Sequence, residues 1–104
     1  MDEYSVIIET TAKSDLRGIL RYITETLKDP VVARRLYSLI KEKVMNLDQM
    51  PQRHPLVRDE TLAARGLHWM PVESYSVFYV IDEESREVSI LRILHGRRDW
   101  QNIL

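Results

Sequence analysis

The residues best equipped for chemistry gather near one end of this sequence. Arg92, His95, Arg97 and Arg98 fall in a stretch, 92 to 98, that contains no acid, so a local charge of +3 sits in a chain of net charge -1. Arg65 and His68 supply a second cation and a second imidazole upstream. Such a set suits metal-independent RNA cleavage through the 2′-hydroxyl. A base takes the hydroxyl proton, an acid protonates the leaving oxygen, and cations offset the charge on the phosphorane. In that chemistry His95 and Arg98 are the catalytic candidates. Arg65, His68, Arg92, Arg97, Arg98 and Trp100 are the candidates for gripping RNA or an acidic protein segment.

A plainer reading stands beside this one. Strand alternation puts Ser89, Leu91, Ile93 and His95 on one face and Val88, Ile90, Arg92 and Leu94 on the other. Arg92 and His95 then point apart unless a bulge before Gly96 intervenes. A lone His ending an apolar strand is also more often structural than catalytic. Other chemistries find no support. Three scattered histidines (54, 68, 95) without cysteine give no metal-ligand spacing, and three glycines (18, 66, 96) make no phosphate-cradling loop. The acids from Asp82 to Glu87 read as a solvated turn. No metal and no small-molecule cofactor are expected.

The elements that must position these residues follow from hydrophobic period. Tyr4 to Glu9 reads as a strand, followed by Thr10-Thr11 as a helix cap. Ala12, Leu16, Ile19, Leu20, Ile23 and Leu27 form one helical stripe, with Lys13, Arg17, Arg21 and Lys28 off it. Asp29-Pro30 then starts a second helix, whose stripe is Val32, Leu36, Leu39, Ile40, Val44 and Leu47. So short a link makes an antiparallel helical hairpin. Pro51 to Thr61 reads as loop. Three strand-like runs close the chain: Leu67 to Val72, marked as an edge by Pro71, then Tyr75 to Ile81 and Val88 to Leu94. Glu73-Ser74 and Asp82 to Ser85 are the turns. The order β-α-α-β-β-β is an α+β fold, with a helical hairpin on one face of a small, mainly antiparallel four-stranded sheet.

Composition bounds the rest. A chain of 104 residues with 44% hydrophobic and 30% charged residues fits one domain, 1-104. Fifteen Lys and Arg against 16 Asp and Glu give no overall pull toward nucleic acid or membranes, so any basic site is local. The lack of cysteine, of a basic leader and of any long apolar run fits a cytoplasmic protein with no membrane partner.

Three phrases in this order resemble the RelE/ParE superfamily, the toxins of type II toxin–antitoxin (plasmid stabilisation) systems. They are Asp15-Leu16-Arg17-Gly18-Ile19-Leu20-Arg21-Tyr22-Ile23, then Tyr75-Ser76-Val77-Phe78-Tyr79 running into Val80-Ile81-Asp82-Glu83, and Ile90-Leu91-Arg92-Ile93-Leu94-His95-Gly96-Arg97-Arg98-Asp99. The resemblance spans essentially the whole chain. It implies a growth-inhibiting toxin neutralised by a cognate antitoxin. RelE-like members are ribosome-dependent mRNA endonucleases, and ParE-like members block DNA gyrase without cutting nucleic acid. The resemblance also implies a catalytic or phosphate-binding Arg near Arg98 in the nuclease branch, and a His near His95 in some members of either branch.

Departures from the nuclease pattern favour the gyrase branch. Ser76 stands where many RelE-like members carry the Arg that contacts the scissile phosphate. No lysine follows Lys43, and no Tyr stands in the final residues. Tyr22, Tyr37, Met45 and Trp100 are then the side chains for contact with a protein target, although core packing is the plainer role for each aromatic. A domain that binds antitoxin but has lost toxicity is a third alternative. An acidic antitoxin segment would suit Arg92, Arg97 and Arg98, with the sheet face opposite the helices and the Pro71 edge left open to it.

Overall fold

The computed structural model describes residues 3–96, so the expectations placed on Arg97, Arg98 and Trp100 lie outside the described residues. In chain order the elements are β1 (Ser5–Ile8), α1 (Thr10–Arg21), α2 (Pro30–Met45), α3 (Glu60–Ala64), β2 (His68–Val72), β3 (Tyr75–Asp82) and β4 (Glu87–His95). The sheet order is β1-β4-β3-β2. β1 runs parallel to β4, from Ser5 opposite Glu87 to Ile8 opposite Ile90, while β2–β3 and β3–β4 are antiparallel. The expected α+β order holds, and the sheet is mixed.

α2 begins as its sequence demands. The Asp29 carboxylate accepts the Val32 amide at 3.1 Å, and Pro30 occupies the first helical position, where its missing N–H costs nothing. The entry to α1 differs from expectation. Glu9 precedes the helix without a side-chain cap and both threonines lie inside it. Thr11 instead donates its hydroxyl to the Leu91 carbonyl at 2.8 Å.

α1 ends in a widened π-helical turn, Tyr22–Thr26, in which the Leu27 amide reaches back to the Tyr22 carbonyl at 3.1 Å. The extra residue in that turn rotates Leu27 off the stripe, leaving it 57% exposed. The loop expected over 51–61 holds a 3₁₀ turn at Pro51–Arg53 and runs into α3, which Asp59 caps through the Leu62 amide at 3.0 Å.

One core lies between helices and sheet. Ala12, Ile23, Leu36, Ile40 and Val44 pack there against Met70, Val77, Tyr79, Val88, Ile90 and Ile93. A second cluster corrects the expectation of a free sheet face: Val57, Leu62 and Leu67 cover Phe78, flanked by Trp69, Val80, Leu91 and Leu94. Too many large apolar side chains point that way for the face to stay wet. β2 is the edge strand that Pro71 announced. Half of that edge is occupied, because Val57 donates to the Leu67 carbonyl at 3.0 Å and Trp69 to that of Pro55 at 2.9 Å.

Regular alternation along β4 also fails. Tyr79 pairs with Ile90 and Phe78 with Arg92, so Leu91 is an extra, bulged residue. Val88, Ile90 and Ile93 therefore enter the main core, and Leu91 and Leu94 the second.

Candidate functional site

β4 outruns β1. Beyond Ile90 its edge would present bare backbone groups, and helix α1 takes over the pairing. Glu9 donates its amide to the Ile90 carbonyl at 3.0 Å, and Thr11 serves Leu91. One turn further on, Asp15 accepts the Ile93 amide at 3.0 Å. The same carboxylate holds Arg92 in a fork, with Nε to Oδ2 at 2.7 Å and Nη2 to Oδ1 at 2.9 Å. Both side chains are largely shielded, at 25% and 15% exposure. Donating to the Asp15 carboxylate raises the Arg92 pKa further still. Arg92 is thus a rivet between helix and sheet, and its expected role in gripping RNA or an acidic segment is not where the fold uses it.

The other described candidates do not converge. His68 stacks on Tyr79 (centroids 5.1 Å apart, planes at 11°), and its Nδ1 meets the His54 carbonyl at 2.8 Å, which makes it the donor. Tyr79 donates to the Pro51 carbonyl at 2.6 Å, and burial pushes its hydroxyl up to about 12. Arg65 is exposed at the end of α3. His95 is exposed and meets Tyr75 edge-on at 5.1 Å. Tyr75 and Tyr79, which mark the levels of His95 and His68, are four residues apart on β3. The two imidazoles are therefore separated by roughly 13 Å along the strand direction, too far to share one phosphate.

Ser76 has its own assignment. It is buried, receives the Trp69 indole N–H at 2.9 Å and donates to the Gly96 carbonyl at 3.0 Å. The Gly96 amide is held in turn by the Ser74 carbonyl at 2.7 Å. This relay pins the end of β4, with Gly96 at φ 71, a conformation glycine adopts without steric cost. Beside it lies a cleft of about 320 Å³ bordered by Trp69, Tyr75 and His95.

A different surface stands out for binding. Between α1 and α2 runs a groove of about 320 Å³, floored by Leu16, Leu20, Ile40 and Val44 and reaching Ile8 and Ile93 of the sheet. Lys13, Arg17 and Lys41 stand along its margin, and none of the three holds an ion pair among the described residues. Lys41 lies over the Tyr37 ring at 5.9 Å. An apolar trough rimmed by unpaired cations fits an amphipathic acidic helix. Placing Lys13 and Arg17 simply off the helical stripe missed this. The signal was their adjacency to Leu16 and Leu20 on the helical wheel, combined with an apolar stripe wider than a two-helix contact needs.

The family model described as "ParE toxin of type II toxin-antitoxin system, parDE" matches residues 6–100, and the chain belongs to that family. Among solved structures it is similar to the RelBE2 toxin–antitoxin complex from Mycobacterium tuberculosis, at 26% identity and a TM-score of 0.64, over 89% of this chain and 98% of that one. It is also similar to the chromosomal ParDE system from P. aeruginosa, at 22% identity and a TM-score of 0.75, over 93% and 100%. A mutant RelE toxin from E. coli in the free state shares the fold, at 13% identity and a TM-score of 0.61, over 97% and 90%. A comparison with curated proteins returns no match. No helix among the described residues is long and apolar enough to cross a membrane.

Proposed function

We propose that this toxin arrests growth by occupying a protein surface, that of DNA gyrase, and not by cutting mRNA. The observation that carries this reading is the Asp15–Arg92 rivet, which commits the described cation of the candidate run to joining helix and sheet. Ser76, where a nuclease would place a phosphate contact, is spent on the Trp69–Gly96 relay, and the neighbouring sheet face is closed by apolar packing. Among the described residues, nothing in that arrangement builds a phosphorane site. Induced expression tests the reading. A gyrase blocker produces a DNA-damage response, filamentation and inhibited supercoiling in vitro. Rapid loss of translation, with mRNA ends inside codons, overturns it.

The endonuclease reading keeps one observation of its own: His95 is exposed beside Tyr75 at the mouth of a cleft. Growth arrest abolished by His95→Ala in a stably folded variant would favour it.

Neutralisation by a cognate antitoxin, in the cytoplasm where either target resides, completes the reading. Two of the similar structures, RelBE2 and ParDE, are themselves toxin–antitoxin systems. In this chain the α1–α2 groove is the proposed seat, with an acidic amphipathic helix as its occupant. The combined substitution Lys13→Glu and Arg17→Glu should then abolish capture of the cognate antitoxin while leaving the fold intact.

A further inference from the structure

We propose that Met45 is a modification site: oxidation of its thioether to the sulfoxide by hydrogen peroxide closes the α1–α2 groove of the free toxin to its partner helix and so keeps that toxin from being neutralised. This rests on the reading of that groove as the antitoxin's seat.

The chain has no cysteine, so methionine sulfur is its softest nucleophile toward two-electron oxidants. The described methionines differ sharply in environment. Met70 is sealed in the main core at 2% exposure, beyond the reach of peroxide. Met50 is 71% exposed but does not border the groove. Met45, the last residue of α2, is 45% exposed and lines the groove beside Val44. Among the described methionines it is the one that is both open to solvent and part of the groove wall.

The chemistry is self-contained. The sulfur lone pair attacks one peroxide oxygen, the O–O bond breaks as the S–O bond forms, and proton transfer releases water. Sulfur loses two electrons and the peroxide gains them. A flexible apolar side chain thereby becomes a polar, chiral one on an apolar wall. Docking then has to strip water from the sulfoxide oxygen. A toxin caught free during oxidative stress would resist recapture until a methionine sulfoxide reductase restored the thioether.

The test uses the full chain, peroxide, and two probes: the cognate antitoxin, and the anionic dye 1-anilinonaphthalene-8-sulfonate, whose aromatic body and sulfonate match groove and rim. Peptide mass confirms where oxygen has been added. Wild-type protein oxidised at Met45 should bind both probes about tenfold more weakly, with an unchanged circular dichroism spectrum. Met45→Leu should keep full affinity after peroxide, and Met50→Leu should lose it as wild type does. Undiminished binding by Met45-oxidised protein, or an equal loss in Met45→Leu, overturns the proposal. Failure of the groove reading shows separately: Lys13→Glu with Arg17→Glu would leave binding by unoxidised protein unchanged.

Discussion

Asp15 binds Arg92 with both carboxylate oxygens and, with the same group, accepts the backbone amide of the following residue, Ile93. A helix side chain thus stands in for a missing strand, and the cation beside it neutralises the charge that this requires. Asp15→Ala should cost about 2–3 kcal/mol, since it strands the Ile93 amide and breaks a charge-assisted fork. Asp15→Asn retains one acceptor and should cost less. Chemical denaturation measures both, and equal, near-zero losses would show the rivet to be ornamental.

Replacing Ile40, 1% exposed at the centre of the hairpin–sheet core, by Ala should destabilise the protein by about 3–4 kcal/mol. The same substitution at Leu27, 57% exposed, should change stability by less than about 0.5 kcal/mol. A comparable loss at both positions would contradict the phase shift assigned to the π-helical turn.

Stability should fall as pH drops through the ordinary histidine range. Burial lowers the His54 pKa, and Arg53, His68 and Lys43 add to the effect, so the folded protein prefers the neutral ring. The unfolded chain therefore takes up a proton first. Stability from this source is complete above the unfolded value, about 6.5, and is lost as pH falls from there toward the folded one. His54→Gln should flatten the thermal melting curve against pH in that window. The Glu73 and Glu83 carboxylates, held low by hydrogen bonds from Arg35 and from Tyr4 respectively, act only in the more acidic carboxylate range.

Antitoxin capture through the groove should weaken with salt, because Lys13, Arg17 and Lys41 stand at a solvent-exposed margin. Raising ionic strength from about 0.05 to about 0.5 M shortens the screening length several-fold and should slow association. A variant carrying Arg17→Ala and Lys41→Ala should associate slowly at both, with little salt dependence left. Stopped-flow kinetics decides it.

His95→Ala should leave growth arrest intact if the toxin works by occupying a protein surface. If His95 is a general acid or base, activity should fall by roughly 10²–10⁴-fold. Titrated induction with matched protein levels separates the two.

Much of this fold was written in local pattern. The Asp29-Pro30 boundary, the Leu36–Ile40–Val44 stripe and the Glu73-Ser74 turn are each decided by near neighbours, and each came out as read. What escaped was decided at a distance. The bulge at Leu91 arises from fitting two apolar layers at once, and Thr11 served a carbonyl eighty residues away in place of its own helix. The site suffered for the same reason. Arg92 looked like a free cation because the carboxylate that claims it lies on α1, and the neighbours Leu16 and Leu20 of Lys13 and Arg17 make only one wall of a groove that α2 completes.

The parallel pairing of β1 with β4 joins Ser5 to Glu87, so the first strand made is matched only by the last. Until β4 emerges, the edge that Thr11 and Asp15 serve does not exist, and Ile8 waits for Ile93 to finish the groove floor. Contacts so remote in sequence form late and slowly. A half-synthesised copy accordingly lacks both the served edge and the finished groove floor; the two mature in the same instant.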